Sequence, residues 1–186
     1  TNSSKENFGD LNGVTQFNLH ADAFAKSNKI SVSSTNRSYQ KRVMATYHTG
    51  MLPNNWAYSF SASIRNATQG YADGTKLNAL ALFGSVEHKI NNNHNISLSV
   101  IYTPVERGKT SPNTKEVTDI KGIKYNAYWG FQNEKKRYSR IKKVKEPIIT
   151  LSHFWKPLDK LSIKNNLLFQ NFVCYQQHQK EQTKHT

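Results

Sequence analysis

The chain has 186 residues, is 36% hydrophobic and 11% aromatic, and carries 26 Lys and Arg against 12 Asp and Glu, a net charge of +14. That length suffices for one domain with a sizeable core, and the basic excess raises a polyanion or an anionic lipid surface as partner. No run comes near the roughly 18–20 apolar residues that cross a bilayer as a helix, which excludes a helical membrane protein but not a strand barrel, whose strands are about 10 residues long with alternate positions facing lipid.

Strand patterns recur along the chain with turn residues between them, and no segment has a convincing helical period. The opening TNSSKENFGD has neither an initiator Met nor a charged-then-apolar leader, so an export signal is expected to lie outside this sequence, as for a fragment or a mature piece. NKISVSST is the first strand, with Ile30 and Val32 on one face, and it ends at an Asn-Arg-Ser turn. YQKRVMATYHT is the second, with Val43, Ala45 and Tyr47 on one side and Arg42, Met44, Thr46 and His48 on the other; GMLPNN closes it. WAYSFSASIR, residues 56–65, is the third and cleanest: Trp56, Tyr58, Phe60, Ala62 and Ile64 alternate with Ala, Ser, Ser, Ser and Arg. A strict period of two means a strand with two different neighbours. Either the apolar side packs on a soluble core with the polar side in water, or the apolar side meets lipid and the polar side lines a lumen.

After the ten-residue loop NATQGYADGT comes KLNALALFGSVEHKI, too apolar throughout for a clean face assignment, closed by NNNHN. NISLSVIYT alternates again through Ile96, Leu98, Val100 and Tyr102. A connection of about 43 residues follows, 104–146, rich in Gly, Pro, Lys and Asn; connections of that length are uncommon in compact soluble domains and usually functional or disordered. PIITLSHFW and LSIKNNLLF then form a hairpin around KPLDK, and beyond residue 170 the alternation is lost in an irregular tail, 171–186.

The fold class predicted is all-β, an antiparallel up-and-down meander. Its first, third and fifth connections fall on one rim and include both elaborate loops, while the second, fourth and sixth are tight turns on the other, as in outer-membrane barrels. Tyr47, Trp56 and Trp155 lie beside the tight turns and Tyr102 beside the long loop, the placement of aromatic girdles at two membrane interfaces.

Within the long connection, KKRYSRIKKVK gathers Lys135, Lys136, Arg137, Arg140, Lys142, Lys143 and Lys145, seven basic residues in eleven, suited to a polyanion, lipopolysaccharide phosphate or an anionic substrate, or simply to a solvated loop. His48, His88, His94 and His153 lack metal-ligand spacing, and the single Cys174 has neither a disulfide partner nor a second thiolate for a metal. Asp73-Gly74 reads as a loop turn, and Gly9, Gly13 and Gly84 as backbone relief. No nucleophile sits with a base, no Gly-rich phosphate cradle and no carboxylate pair stands out, so neither catalysis nor a cofactor is expected.

FGDLNGVTQFNL, residues 8–19 with Gly9, Gly13 and Val14, resembles the Gly-x-x-Gly-Val-x-Asn-x ending of the plug in TonB-dependent outer-membrane receptors. Asn12 and Gln16 depart from it, where the family prefers Gly and a small or branched residue. NRSYQKRVMATYHTGMLPNNWAYSFSASIR, GYADGT, RGKTSPNTKEV and YNAYWGFQNEKKRYSRIKKVKEPI follow in the order and spacing of the first barrel strands and loops of such receptors from the Bacteroidetes group. The resemblance covers residues 8–169.

It implies the end of a plug domain (1–22), the first strands of a barrel of about 22 strands (23–170) with a long extracellular loop at 104–146, and the tail. It further implies lipid against Trp56, Tyr58, Phe60, Ala62 and Ile64, a Gram-negative outer-membrane location, and a part in importing a scarce nutrient such as a metal chelate or oligosaccharide. Outer-membrane lipid, the energy-transducing TonB complex and the nutrient would be the partners, and nucleic acid would not. The alternative is a soluble or secreted β-rich module that holds an anionic partner through its basic loop.

Overall fold

The computed structural model describes residues 18–36, 38–158 and 160–178, and within these the regular structure is almost all antiparallel strand. After a 3₁₀ turn at Ala21–Ala23 come β1 (Ser27–Ser33), β2 (Lys41–Met51), β3 (Trp56–Ala67), β4 (Leu77–Lys89) and β5 (His94–Tyr102). Within the long connection lie β6 (Val105–Gly108), the helix α1 (Lys115–Lys121), β7 (Trp129–Gln132), β8 (Lys135–Tyr138) and β9 (Arg140–Lys145). β10 (Pro147–Leu158), β11 (Leu161–Gln170) and β12 (Val173–His178) complete the chain.

The main sheet runs β1-β2-β3-β4-β5-β10-β11, each strand beside its predecessor in the meander. All seven strands expected from the alternation are present. β6, β9 and β12 are upward extensions of three of them. Leu82 pairs Tyr102 and Ala79 pairs Val105, three residues on along both strands, so β5 and β6 share one pairing frame against β4. The same holds for β5–β10 and β6–β9 (Pro147 with Tyr102, Val105 with Val144) and for β10–β11 and β9–β12 (Ile148 with Gln170, Val173 with Lys145). The long connection is therefore a rise of the sheet with a folded excursion at its top, and residues 173–178 continue a strand where the alternation gave no sign of one.

The sheet is not closed. β1 and β11 are its two edges and do not pair with each other. The first, third and fifth connections share one rim and the tight turns the other, as the connection lengths predict. At the lower rim Gly50 and Asn55, both at positive φ, bend β2 into β3, with Asn55 N–H donating to Leu52 O at 3.0 Å. At the next tight turn the side chain of Asn91 accepts from the N–H groups of Asn93 and His94 at 2.9 and 2.8 Å.

Candidate functional site

Because a pleated strand sends alternate side chains to opposite sides, the pairing registers fix two faces for the whole sheet. One is apolar. Val32, Val43, Ile64 and Leu80 follow one another across β1 to β4, and Tyr47, Phe60, Gly84, Val100, Ile149 and Phe169 across β2 to β11. Val86, Leu98, Leu151 and Leu167 form a further row. These side chains are open: Phe60 is 47% exposed, Ile64 53% and Leu167 70%. Around Ala45, Ala62 and Gly84, where side chains are smallest, the face dips into a hollow of about 800 Å³ walled by Tyr47, Phe60, Leu82 and Tyr102.

The opposite face is largely polar, with rows of small hydroxyl side chains that are closed off from the surroundings. Ser59, Ser85 and Ser99 stand in register on β3, β4 and β5, with His48 Nδ1 at 2.5 Å from Ser59 Oγ and the hydroxyls of Ser85 and Ser99 at 3.0 Å. Ser59 and Ser85 are fully buried, and Ser63, Ser97 and Ser152 nearly so. The segment before β1 lies on this face. Leu19 O accepts from Ser85 Oγ at 2.7 Å and Ser99 Oγ at 3.1 Å; His20 meets the Phe154 ring edge-on at 4.9 Å; Phe24 stacks on His48 at 4.5 Å.

Beneath it Glu87, 1% exposed, accepts the Asp22 N–H at 3.1 Å and the side-chain amide of Asn95, with His20 Nδ1 at 3.9 Å. A buried carboxylate so bonded fixes where the incoming chain sits. The usual burial order is reversed over the strands, since aliphatic and aromatic side chains are open to the surroundings while hydroxyls and a carboxylate are enclosed.

Trp56, Tyr58, Phe60, Ala62 and Ile64 all lie on the apolar face, against the buried Ala57, Ser59 and Ser63. Of the four proposed girdle aromatics, Tyr47, Trp56 and Trp155 stand toward the lower rim and Tyr102 toward the upper, all on this face. They do not stand alone. Trp56 stacks on His88 at 4.2 Å, and His94 stacks on His153 and Trp155 at 5.4 and 5.7 Å, so three of the four histidines noted in the sequence are part of the lower aromatic band. His48 is on the other face. Among the described residues no group of His, Cys, Asp or Glu could hold a metal ion. The faces of β4 were unreadable because its second face also carries large groups: Phe83 packs beneath Phe24 at 6.5 Å.

The seven cations of residues 135–145 are not one patch. Lys135, Lys136 and Arg137 belong to the β7–β8 hairpin, whose turn residues Asn133 and Glu134 both have positive φ, the type I′ geometry. Arg140 lies over the Tyr128 ring at 4.5 Å. Lys142 sits opposite Arg107 on the polar side, and Lys143 and Lys145 on the apolar side.

Two groups gave no signal in the sequence. One is Glu106, bridged to Lys76 Nζ at 2.6 Å and Lys143 Nζ at 3.2 Å; those ammonium groups, Lys76 foremost, hold its carboxyl below the usual glutamate range. The other is Asn126, 2% exposed, which accepts from the N–H groups of Ser111 and Tyr128 and donates to Asp73 O and Lys109 O, at 2.8–3.2 Å. It fastens the long loop to the loop before β4, where Gly74 at φ +69° leaves room for the Trp129 ring. Short polar residues in a loop are too common to single out either group.

Gly9, Gly13 and Val14 lie outside the described residues. No family model, no curated protein and no solved structure matches this chain.

Proposed function

We propose that this chain forms part of the wall of a transmembrane β-barrel of the outer membrane, the first strands of a TonB-dependent receptor with the end of its plug, whose parent binds and imports a scarce nutrient. The observation that carries the reading is the reversal of burial: one apolar face runs open across seven consecutive strands while the opposite face encloses serines and Glu87. A soluble sheet has the opposite need, and exposed apolar patches beyond a few hundred Å² mark interaction surfaces or membrane contact. Each stretch between boundary positions, Trp56 to Ile64, His94 to Tyr102 and Pro147 to Trp155, is nine residues long counting both ends, within reach of the roughly 9–11 needed by a tilted membrane strand.

The segment 18–24 supports the plug assignment, because it enters across the polar face and is held there through Leu19 O and the Asp22 N–H. An open edge in lipid would leave backbone groups unpaired, so β1 and β11 call for neighbouring strands that complete the barrel. No chemistry of bond making is assigned to these residues, and the nutrient would be bound by loops and plug together.

The test is solubility with structure retained. In nonionic detergent the chain is expected to show a β-rich circular dichroism spectrum, and on removal of detergent to associate or precipitate through its apolar face. A monodisperse, β-rich monomer in detergent-free buffer would overturn the reading and leave a soluble module.

A further inference from the structure

The open face changes character abruptly at its upper edge on β2, β4 and β10, while β12 sets Val173 and Tyr175 opposite Lys145 and Lys143. On β2 the last apolar residue is Val43, and Lys41 follows two residues on; on β4 it is Leu80, with Asn78 and Lys76 beyond; on β10 it is Pro147, with Lys145 and Lys143 on β9 beyond. The unbroken pairing frames keep all of these on the apolar side. Asn66 lies opposite Lys41 and Asn78 opposite Glu106, which is opposite Lys143. Side-chain contacts agree: Glu106 reaches both Lys76 and Lys143, and Asn66 Nδ2 donates to Asn78 Oδ1 at 3.0 Å.

Four lysines and one glutamate therefore follow the apolar band. Glu106 draws Lys76 and Lys143 together, and Lys41 and Lys145 are exposed with no acid in ion-pair reach among the described residues. Two to four strand residues at a tilt of about 40° rise roughly 5–10 Å, the level of the headgroups that flank a hydrocarbon core of about 30 Å within a bilayer of about 40–45 Å. Lysine stems lie along apolar surface while their ammonium groups reach for charge.

We propose that Lys41, Lys76, Lys143 and Lys145 form an outward-facing belt that holds the phosphate groups of an anionic lipid in the leaflet on the loop side. The inference rests on the membrane reading above. Charge complementarity names the occupant: a row of four lysines against the single Glu106, directly above an apolar band, keeps a cationic excess that fits a phosphorylated headgroup whose acyl chains lie against Ile64, Leu80 and Leu82. Arg107 and Lys142, at the same height, face the other way and take no part.

The probe is bisphosphorylated lipid A doped into nonionic-detergent micelles, with phosphatidylcholine as the control, and binding to the full chain is read by native mass spectrometry. The unmodified chain should prefer lipid A. Lys143→Gln with Lys145→Gln should weaken lipid A binding roughly 10- to 30-fold, at the usual worth of a Lys near an anionic surface, whereas Arg107→Gln with Lys142→Gln should change it by less than about 2-fold. Equal losses in both pairs would reduce the effect to net charge and overturn the belt. So would indifference between the two lipids, or full displacement of lipid A by millimolar inorganic phosphate. A detergent-free monomer, checked before any lipid is added, would instead sink the membrane reading; a chain that needs detergent but ignores lipid A would sink only the belt.

Discussion

At the scale of single residues, the pair Phe60 and Ser61 carries the contrast between the two faces. They are neighbours in β3, yet Phe60 is open on the apolar side and Ser61 on the other, near Thr46 Oγ1 at 3.2 Å. On the proposed membrane reading, Phe60→Arg should destabilise the fold in lipid by about 2–4 kcal/mol, the cost of Arg at a bilayer midplane, and Ser61→Arg by less, since a lumen would hydrate charge. A denaturant titration in lipid that returned the reverse order would mean that the faces have been exchanged.

Glu134 offers a second test. A type I′ turn wants Gly at its second position, and Glu134 holds φ +62° there, so Glu134→Gly should stabilise the β7–β8 hairpin by about 1 kcal/mol. Hydrogen exchange of the hairpin amides would register it as slower exchange.

Glu106 supplies a pH dependence. Its carboxyl is held below its ordinary value, so its contribution is fully present above that value and is lost as pH falls through the lowered one. Loosening of the top of β6 and β9 is therefore expected only in acid below the usual glutamate range, and Glu106→Gln should abolish that step. The same step surviving in the variant would assign it elsewhere.

At the scale of elements, what the sequence revealed follows from how each strand is used. β2, β3 and β5 meet small polar groups on one side and none of the bulky core of a soluble domain on the other, so their alternation survives in the letters. β4 hides it, because Phe83 is needed beneath Phe24. β6 and β9 stand above the apolar band, where each face mixes charged residues with aliphatic ones, Val105 and Val144 on one and Ile141 on the other, and RIKKVK then reads as loop although the pairing continues unbroken. Charge clustering located the basic run but not its division, which depends on strand direction: Lys143 and Lys145 fall on one side, Arg140 and Lys142 on the other, and three cations on a separate hairpin. The helix α1 is short and entirely unburied, and gave no periodic signal.

Asn126 is one of the groups that hold the loop excursion to the loop before β4, beside the Asp73 N–H that donates to Lys124 O at 2.8 Å. Replacing Asn126 by Leu would strip partners from the buried amides of Ser111 and Tyr128 and the carbonyls of Asp73 and Lys109, at about 1–3 kcal/mol for each group left buried and unpaired. Limited proteolysis should then cut between residues 109 and 128 faster than in the unmodified chain, while the β2–β3 turn is cut at an unchanged rate. Equal acceleration at both sites would point to general unfolding instead.

At the scale of the whole molecule, two properties belong together: the open sheet and its inverted faces. Hydroxyl rows and Glu87 are satisfied by neighbouring polar groups and by the incoming segment; among the described residues the apolar side has no partner and two strand edges stand unpaired. A bilayer and further strands would answer both needs, as the proposed membrane reading requires. The most direct measurement is paramagnetic accessibility after reconstitution into lipid, with Cys174→Ser as background and a nitroxide placed in turn at Phe60→Cys and Ser61→Cys. The label at 60 should collide with oxygen dissolved in the hydrocarbon and escape a water-soluble nickel complex, and the label at 61 should not share that profile. Equal accessibility at both positions, or oxygen favouring 61, would contradict the account.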